Sequence, residues 1–385
     1  MKKLVFIILI FVLIVLVFVP CETEVKADSL SDTINEQLEN IELGELEEFF
    51  DGITTKPTNI DFFGYINGIL NGEYNFSFDT VFQYILDLIF SGVKEVLPIF
   101  ILVLIIAILC GLIQNFRPNF ASSGVNDIVL FACFSSIILL LSNQIINLWQ
   151  NGQNAINNIA ILTEIMSPII ITLMLSSGGN VSATVYSPTV AFLVQVVVNI
   201  ILNFIFPLIG IILILSLLNS LSSSIKLNKS VDFLYSIFKW VIGITTTVFG
   251  VFISIQGITS ATFDGVSLKA AKYAISNSIP MIGGFLGGGF DFVVAGSILI
   301  KNAIGISVVV ALFYIVLTPI IQILIFSLLL KFVGALVEPI SDSRISAFCF
   351  SMSKCLSYVL ITILLVGLML FIMVLLMTMS ANAFI

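Results

Sequence analysis

Long apolar runs separated by short polar stretches fill the chain from residue 96 onward. A helix that crosses a hydrocarbon core of about 30 Å needs about 20 mostly apolar residues, and it satisfies its backbone polar groups internally. Leu, Ile, Val and Phe dominate the runs without strand-like alternation, which favours helices over a β-barrel. The pattern predicts an all-α, polytopic helical membrane protein. The runs lie at 96–115, 127–148, 159–177, 187–221, 240–258, 303–330 and 355–379.

Two of these runs have unusual lengths. The run at 159–177 is short, contains Pro168 and ends at Gly178-Gly179. The run at 187–221 would be roughly 50 Å long as a helix, well beyond the hydrocarbon thickness, and it contains Pro207. The first therefore predicts a broken or re-entrant segment. The second predicts either one long tilted helix or a hairpin bent near Pro207.

The first 27 residues have the form of a cleaved signal peptide. Met1-Lys2-Lys3 is followed by an apolar stretch at 4–19, and Val25-Lys26-Ala27 offers a cleavage site. An uncleaved anchor helix is the alternative. Residues 28–79 then form an acidic extracytoplasmic segment, and residues 80–385 form the polytopic membrane domain.

The acidic segment carries twelve acidic residues and one basic residue, Lys56, for a net charge of −11. Its apolar residues recur at roughly helical spacing, which predicts amphipathic helix broken near Gly44. So few large apolar groups make a poor independent core, so this stripe needs a partner. The partner is another protein, the rest of this chain or a membrane surface, although the acidity disfavours an anionic surface. The candidate docking residues are Leu38, Leu46 and Phe49.

The placement of basic residues predicts the topology. The cytoplasmic positions are Arg117, Lys226, Lys229, Lys239, Lys331, Arg344 and Lys354. An uncharged loop at 150–158 and the C-terminus are then outside. For the sides to alternate correctly, the segment 159–177 must be re-entrant. Alternatively, this segment crosses the membrane and 187–221 forms a hairpin. The scheme places Lys269, Lys272 and Lys301 on the extracytoplasmic side, which the positive-inside rule does not favour.

A shift of 112 residues superposes part of the chain on itself. Pro168 then meets Pro280, and Pro207 meets Pro319. The order of span, short broken segment, over-long span and amphipathic stretch also recurs. We therefore predict that 127–238 and 239–350 form a parallel internal repeat. The alternative is that the helices have a similar spacing by coincidence. Paired interrupted segments in two halves are typical of translocation sites.

Ionisable and helix-breaking residues within the body are the candidates for a pore or hinge, since charges at membrane depth are costly. Glycines in this set permit either close helix contact or open backbone along a cavity. Simple packing or an interfacial ion pair, for example of Glu164 with Lys272 or Lys301, is the alternative. The pore or hinge candidates are Glu164, Pro168, Pro280, Gly283, Gly284, Gly287, Gly288, Asp291 and Lys301.

A second polar motif, at 338–344, lies on the predicted cytoplasmic side. Glu338, Asp342 and Arg344 are candidates for docking a partner, with a solvated amphipathic face as the alternative.

The composition excludes several classes of chemistry. The chain has no histidine, and its five cysteines form no CxxC pair. No paired carboxylates or nucleophile–base spacing stand out, so we predict neither an enzyme nor a metal or cofactor site. No basic footprint of a nucleic-acid-binding protein is present.

Several motifs resemble the stage III sporulation protein AE family of endospore-forming bacteria. They are 37–40 (QLEN), 43–47 (LGELE), 264–272 (DGVSLKAAK), 279–284 (IPMIGG), 301–305 (KNAIG) and 338–342 (EPISD). The resemblance covers about residues 36–380, and its central block is the most specific part.

The resemblance implies a multi-pass protein of the mother-cell membrane around the forespore. It implies membership of a secretion-like channel complex that supports late forespore gene expression. The implied partners are ring-forming subunits and a cytoplasmic ATPase. A stand-alone secondary transporter for a small solute is the alternative that the repeat and the broken segments suggest.

Overall fold

The computed structural model describes residues 44–53, 68, 78–115, 123–221, 227–278, 283–341 and 343–380. Within these ranges the chain is helical apart from short turns, as the apolar runs predicted. The helices are α1 (Gly44–Ile53), α2 (Phe78–Asn115), α3 (Ser123–Ser176), α4 (Asn180–Ile200), α5 (Phe206–Leu221), α6 (Asn228–Ser278), α7 (Gly283–Val337) and α8 (Ser343–Met379). A π-helical turn, Ile201–Ile205, joins α4 to α5 without a break.

Six of the resulting rods are long and apolar enough to cross a membrane. They are α2, α3, the continuous α4–α5 rod, α6, α7 and α8. The longest, α3 and α7, contain 54 and 55 residues. At 1.5 Å per residue each is about 80 Å long, against about 30 Å of hydrocarbon. The bundle therefore extends beyond the hydrocarbon core.

The antiparallel pair of α7 and α8 forms the centre of the bundle. In their most apolar stretches 78% and 67% of residues are buried, more than in the other spans. A Cβ atom on Gly305 would overlap the Thr378 methyl group, and one on Gly367 would lie 2.9 Å from a Val316 methyl carbon. These glycines let the two backbones approach closely.

Two serines add hydrogen bonds to the same interface. The hydroxyls of Ser327 and Ser353 lie 2.7 Å apart, and Ser353 Oγ also donates to the Ser327 carbonyl at 2.9 Å. Both side chains are buried. Each polar atom therefore finds its partner across the helix pair, as hydroxyls in an apolar interior require.

Aromatic contacts attach the outer helices to this pair. Phe100 of α2 packs edge-on against Phe326 of α7, with ring centroids 5.1 Å apart. Phe134 of α3 packs in the same way against Phe348 of α8, at 5.5 Å. Such edge-to-face pairs add to the burial of the rings themselves.

One end of the bundle, here the inner end, contains the turn between α7 and α8. Gly111, near the end of α2, lies so close that a Cβ atom there would overlap the Ile340 carbonyl oxygen. Near the end of α5, Asn219 accepts from the Leu227 N–H and donates to Asn228 at the start of α6. The ends of α2 and α5 and the starts of α6 and α8 therefore meet at the inner end, where the sequence predicted the cytoplasmic lysines.

The predicted outside loop at 150–158 is wrong, because these residues lie within the continuous helix α3. Most of the stretch is asparagine and glutamine, which a helix tolerates. Its one glycine, Gly152, is buried, and a Cβ atom there would lie 3.1 Å from a Val359 methyl carbon, so this glycine lets α8 pack closely against α3. The re-entrant prediction for 159–177 is also wrong, since α3 continues through Pro168 to Ser176. The buried residues Met166 and Ile169 hold the helix against the bundle on both sides of Pro168.

The hairpin alternative for 187–221 is excluded as well. The chain runs from α4 through the π-helical turn into α5 in one direction. Proline lacks an N–H, and its ring collides with the carbonyl four residues earlier. The wider π-helical turn directly before Pro207 accommodates this defect.

The segment 332–351 divides at a turn. Helix α7 ends at Val337, Glu338 and Pro339 follow, and α8 begins at Ser343. The N–H groups of Ile340 and Ser341 both bond to the Val337 carbonyl, at 3.0 and 2.9 Å. Pro339 explains why the helix stops here, since proline is common just after a helix end.

The predicted repeat stays a prediction. The rods follow a compatible order, since a long helix and a proline-containing rod occur in each half. The details differ, because the residues before Pro207 form a π-helical turn whereas those before Pro319 are α-helical. Pro280, the counterpart of Pro168, lies outside the described residues, as does the predicted signal peptide.

Helix α1 shows where part of the acidic segment packs. Leu46 and Phe50 are buried in the same core as the long helices, and Phe49 packs against that core. The apolar stripe is thus covered by the rest of this chain, one of the alternatives that the sequence left open. Glu45 and Glu48 remain exposed on the other side.

Replacing Gly367 by alanine should destabilise the protein, because the added methyl group would meet Val316 in the α7–α8 interface. Overpacking of this kind costs about 1–3 kcal/mol. The matched control is Gly250→Ala on α6, where no atom lies within 4 Å of the new Cβ position. Thermal unfolding in detergent measures both. Equal midpoints for the two variants would contradict the close-packing interpretation.

Cysteine labelling should place the two ends of the bundle on opposite sides of the membrane. In a variant without the native cysteines, a cysteine at Lys229 should react only from the cytoplasm, because basic residues favour that side. A cysteine at Ser176, exposed at the far end of α3, should react only from outside. Labelling of both positions from the same side would contradict this topology.

Candidate functional site: a carboxamide cleft

Helix α3 exposes a row of side-chain amides, which we call the carboxamide face. Its members are Asn143, Asn147, Gln150, Asn154 and Asn157, and all of them are exposed. Spacings of three and four residues place them on one side of the helix. The opposite side carries the buried residues Ile145, Leu148 and Ile156. The helix is therefore amphipathic at mid-length, although its polar face carries no charge between 143 and 157.

The exposed faces of other helices differ sharply from this one. Helix α2 exposes Ile101, Ile105 and Leu109, whereas α6 exposes Val248 and Ile255. Those surfaces suit contact with lipid chains. A row of amides does not, because a side-chain amide without partners in an apolar medium costs several kcal/mol. The carboxamide face therefore requires water or another polar surface.

A cavity of about 200 Å³ opens beside this face, between α2, α3 and α7. We call it the carboxamide cleft. Its polar lining consists of five amide side chains and one carboxylate: Gln144, Asn147, Gln150, Asn151, Gln322 and Glu95. Each of these residues lies within a helix that can span the membrane.

Hydrogen bonds and close contacts fix the walls of the cleft. Asn151 Nδ2 donates to Gln322 Oε1 at 3.2 Å and so joins α3 to α7. Gly92 brings α2 close to α7, since a Cβ atom there would lie 2.9 Å from the Ile325 Cδ1 atom. Nearer the start of α2, the hydroxyl oxygens of Tyr84 and of Thr318 in α7 lie 3.3 Å apart.

The chemistry of the cleft is that of solvation. Each amide offers two donors and an acceptor oxygen, and the Glu95 carboxylate adds acceptors and a negative charge. Such a set can bind water, a small polar solute or a cation without changing it covalently. Among the described residues no group of His, Cys, Asp and Glu side chains is suited to hold a metal ion.

Two of the residues predicted from sequence lie on this same helix. Glu164 and Pro168 are exposed, and Glu164 follows Asn157 by two helical turns. The exposed Ile161 separates them from the amides. The row of amides from Asn143 to Asn157 is therefore about 21 Å long, and Glu164 lies beyond its end.

Lys301 lies elsewhere. It is fully buried in α7, and its ammonium group donates to the Ser380 carbonyl beyond the end of α8. The structure thus places Lys301 at the outer end of the α7–α8 pair and not against Glu164. A buried ammonium group bound to a helix-end carbonyl is a structural contact that secures the two helices.

The glycine-rich segment is helical from Gly283 onward, so α7 includes all of its glycines and Asp291. The open-backbone interpretation is therefore wrong for Gly283, Gly284, Gly287 and Gly288, whereas their close contact with another helix stays a prediction. Pro280 lies outside the described residues, and for 283–292 and Lys272 the structure describes the helical backbone and not the side chains.

The predicted docking residues lie on two separate elements, helix α1 and the turn between α7 and α8. Glu338 is exposed on the inner turn, and Arg344 is half-buried at the start of α8. Asp342 and Leu38 lie outside the described residues. Leu46 and Phe49 contribute to the contact of α1 with the bundle.

Sequence reasoning missed the central members of the cleft. Gln322 is the only side-chain amide in the apolar run 303–330, and such an isolated amide is a signal that could have been followed. Glu95 directly precedes an apolar run, where it looked like an ordinary boundary residue. The polarity of the stretch at 150–158 predicts a loop, although the residues belong to helix α3.

The comparisons with known proteins identify the family of this chain. The family model for stage III sporulation protein AE matches residues 60–381. The stage III sporulation protein AE of Bacillus subtilis (strain 168) is 25% identical over 353 residues, which cover 91% of this chain and 88% of the relative. No solved structure matches. The chain is a multi-pass membrane protein that belongs to the stage III sporulation protein AE family.

Proposed function

We propose that this protein is a membrane component of a sporulation channel, a secretion-like complex that links the mother cell to the forespore. It acts in the mother-cell membrane around the forespore and supports late forespore gene expression. The carboxamide face is the observation that carries the proposal, and it lines the polar path. The family supports the sporulation role, and the six apolar rods support the multi-pass arrangement.

The carboxamide face lies at mid-length of a helix that can span the membrane. From Asn143 to Asn157 it extends about 21 Å, a large part of a hydrocarbon thickness of about 30 Å. The face is uncharged up to Asn157, so it offers hydrogen bonds without holding an ion or solute tightly. Weak binding of this kind permits passage, because a solute must leave each site as readily as it enters.

A single chain does not enclose this path, because the amides are exposed at the bundle surface. A second wall has to come from another copy or from a partner. The acidic face of α1, with Glu45 and Glu48, is available to ring-forming subunits on the outer side. Glu338, exposed on the inner turn, is the candidate contact for a cytoplasmic ATPase, and Arg344 lies close by at the start of α8.

A stand-alone secondary transporter remains the second candidate, and the carboxamide cleft favours it. A cavity of about 200 Å³ with one carboxylate resembles a site for a small solute or a coupling ion. The two candidates differ in their dependence on partners. A channel subunit requires its docking surfaces, whereas a lone transporter functions without them.

Replacing Asn147 and Asn154 by leucine should strongly reduce sporulation without preventing membrane insertion. Both side chains are exposed, so the change leaves the buried core intact, and it removes polar groups from the proposed path. We expect a loss of at least about tenfold in heat-resistant spores, equivalent to about 1.4 kcal/mol if passage limits sporulation. Complementation of a deletion strain, with membrane levels measured in parallel, tests this.

The matched control for Asn154→Leu is Ser254→Leu, an exposed polar residue among the apolar residues of α6. This control should sporulate normally. Full sporulation of the asparagine double variant at normal abundance would contradict the path, and an equal loss in the control would point to a general effect of surface leucines.

Glu45→Gln with Glu48→Gln should reduce recovery of the other complex members after affinity purification. The two carboxylates are exposed on α1, so their removal should leave the thermal stability of the protein unchanged. Sporulation should fall together with complex recovery. Normal sporulation combined with normal recovery would favour the transporter.

A further inference from the structure

A groove of about 690 Å³ lies between α6, α7 and α8, on a different part of the surface from the carboxamide cleft. We call it the lysine groove. Three lysines from three helices line it: Lys239, Lys331 and Lys354. Apolar residues, among them Ile242, Ile361 and Leu365, line the remainder. Its volume is within the range of known small-molecule sites.

The charge of this groove is positive on balance. Asp232 is the acidic neighbour that the structure shows, with its carboxylate 3.8 Å from Lys354 Nζ. The two side chains are 73% and 52% exposed, so this ion pair is weak. Lys354 also lies over the Tyr235 ring, 4.1 Å from its centroid, which holds the ammonium group at the mouth of the groove.

The positions of the lysines fit a membrane interface. Lys331 lies six residues before the end of α7 and Lys354 eleven residues after the start of α8, so both are near the inner end. Trp240, beside Lys239, is 72% exposed. Exposed tryptophan next to lysine is typical of the level of lipid headgroups. By the predicted topology, this level belongs to the cytoplasmic leaflet, where anionic lipids attract basic residues.

We propose that the lysine groove binds one anionic phospholipid. The headgroup phosphate lies among the ammonium groups, and an acyl chain occupies the apolar trough along Ile242, Ile361 and Leu365. The Tyr358 hydroxyl borders the groove and adds a donor. Thr246 and Ser357 also border it, but their hydroxyls donate to the Ile242 and Ser353 carbonyls. A soluble anion would use the lysines but leave the trough uncovered, which is why a lipid fits better.

The position of the groove gives the lipid a structural role. Helix α6 has the smallest buried share of the six spans, 28%, and it forms one wall. The other walls belong to the central pair α7 and α8. A lipid in the groove therefore connects the least buried span to the centre of the bundle.

The test compares lipids in nanodiscs made from phosphatidylcholine with and without phosphatidylglycerol. Phosphatidylglycerol should raise the unfolding temperature of the wild-type protein, because a ligand that binds only the folded state stabilises it. In Lys239→Gln, Lys331→Gln the apparent affinity for the lipid should fall by about tenfold or more. Native mass spectrometry should show one retained anionic lipid per wild-type chain.

The matched control is Lys94→Gln, Lys229→Gln, which removes two exposed lysines that do not line the groove. This control should keep the wild-type response to phosphatidylglycerol. Equal losses in both double variants would overturn the proposal and indicate general surface electrostatics. Soluble glycerol phosphate supplies the headgroup without acyl chains. Stabilisation by glycerol phosphate equal to that by phosphatidylglycerol would overturn the lipid assignment, and an equal response to phosphatidylcholine would do so as well.

Discussion

The close antiparallel contact of α7 and α8 is the interaction on which the rest of the bundle depends. In a bilayer, helices gain little from the hydrophobic effect on association, because lipid chains are as apolar as leucine. Their contact depends on dispersion and hydrogen bonds at short range. Gly305 and Gly367 provide that short range, and Ser327 and Ser353 provide the hydrogen bonds. A methyl group at either glycine would weaken both contributions together.

Both candidate sites derive their geometry from this central pair. Gln322 of α7 faces the amides of α3 because α7 is fixed against α8, and α3 packs on both. Lys331 and Lys354 reach the same groove because the two helices run antiparallel on either side of their turn. A polar cleft and a basic groove can thus coexist in an apolar bundle, since each lies where a third helix meets the pair.

The sequence predicted the helical class, the approximate spans and the grouping of basic residues, because hydropathy and charge placement are local properties. The sequence-based predictions failed where polar residues lie in buried or packed parts of helices and not in loops. The polar stretch at 150–158 predicts a loop, but Gly152 packs against α8 and Asn151 bonds to Gln322, which is 171 residues away along the chain. Glu95 belongs to the cleft only because Gly92 lets α2 approach α7. Such contacts between distant segments have no signature in a single sequence.

The carboxamide face also constrains the state in which the protein functions. Five exposed amides in contact with lipid chains would together cost many kcal/mol, which is large compared with the 5–15 kcal/mol that stabilises a typical fold. Gln150 and Asn151 border the carboxamide cleft, whereas Asn154 and Asn157 do not line it and are exposed at the surface of the bundle. Water along this face would need a second wall to exclude lipid, and one chain does not provide it. We therefore expect a second wall from another copy or a partner, and the proposed polar path would run between that wall and the carboxamide face.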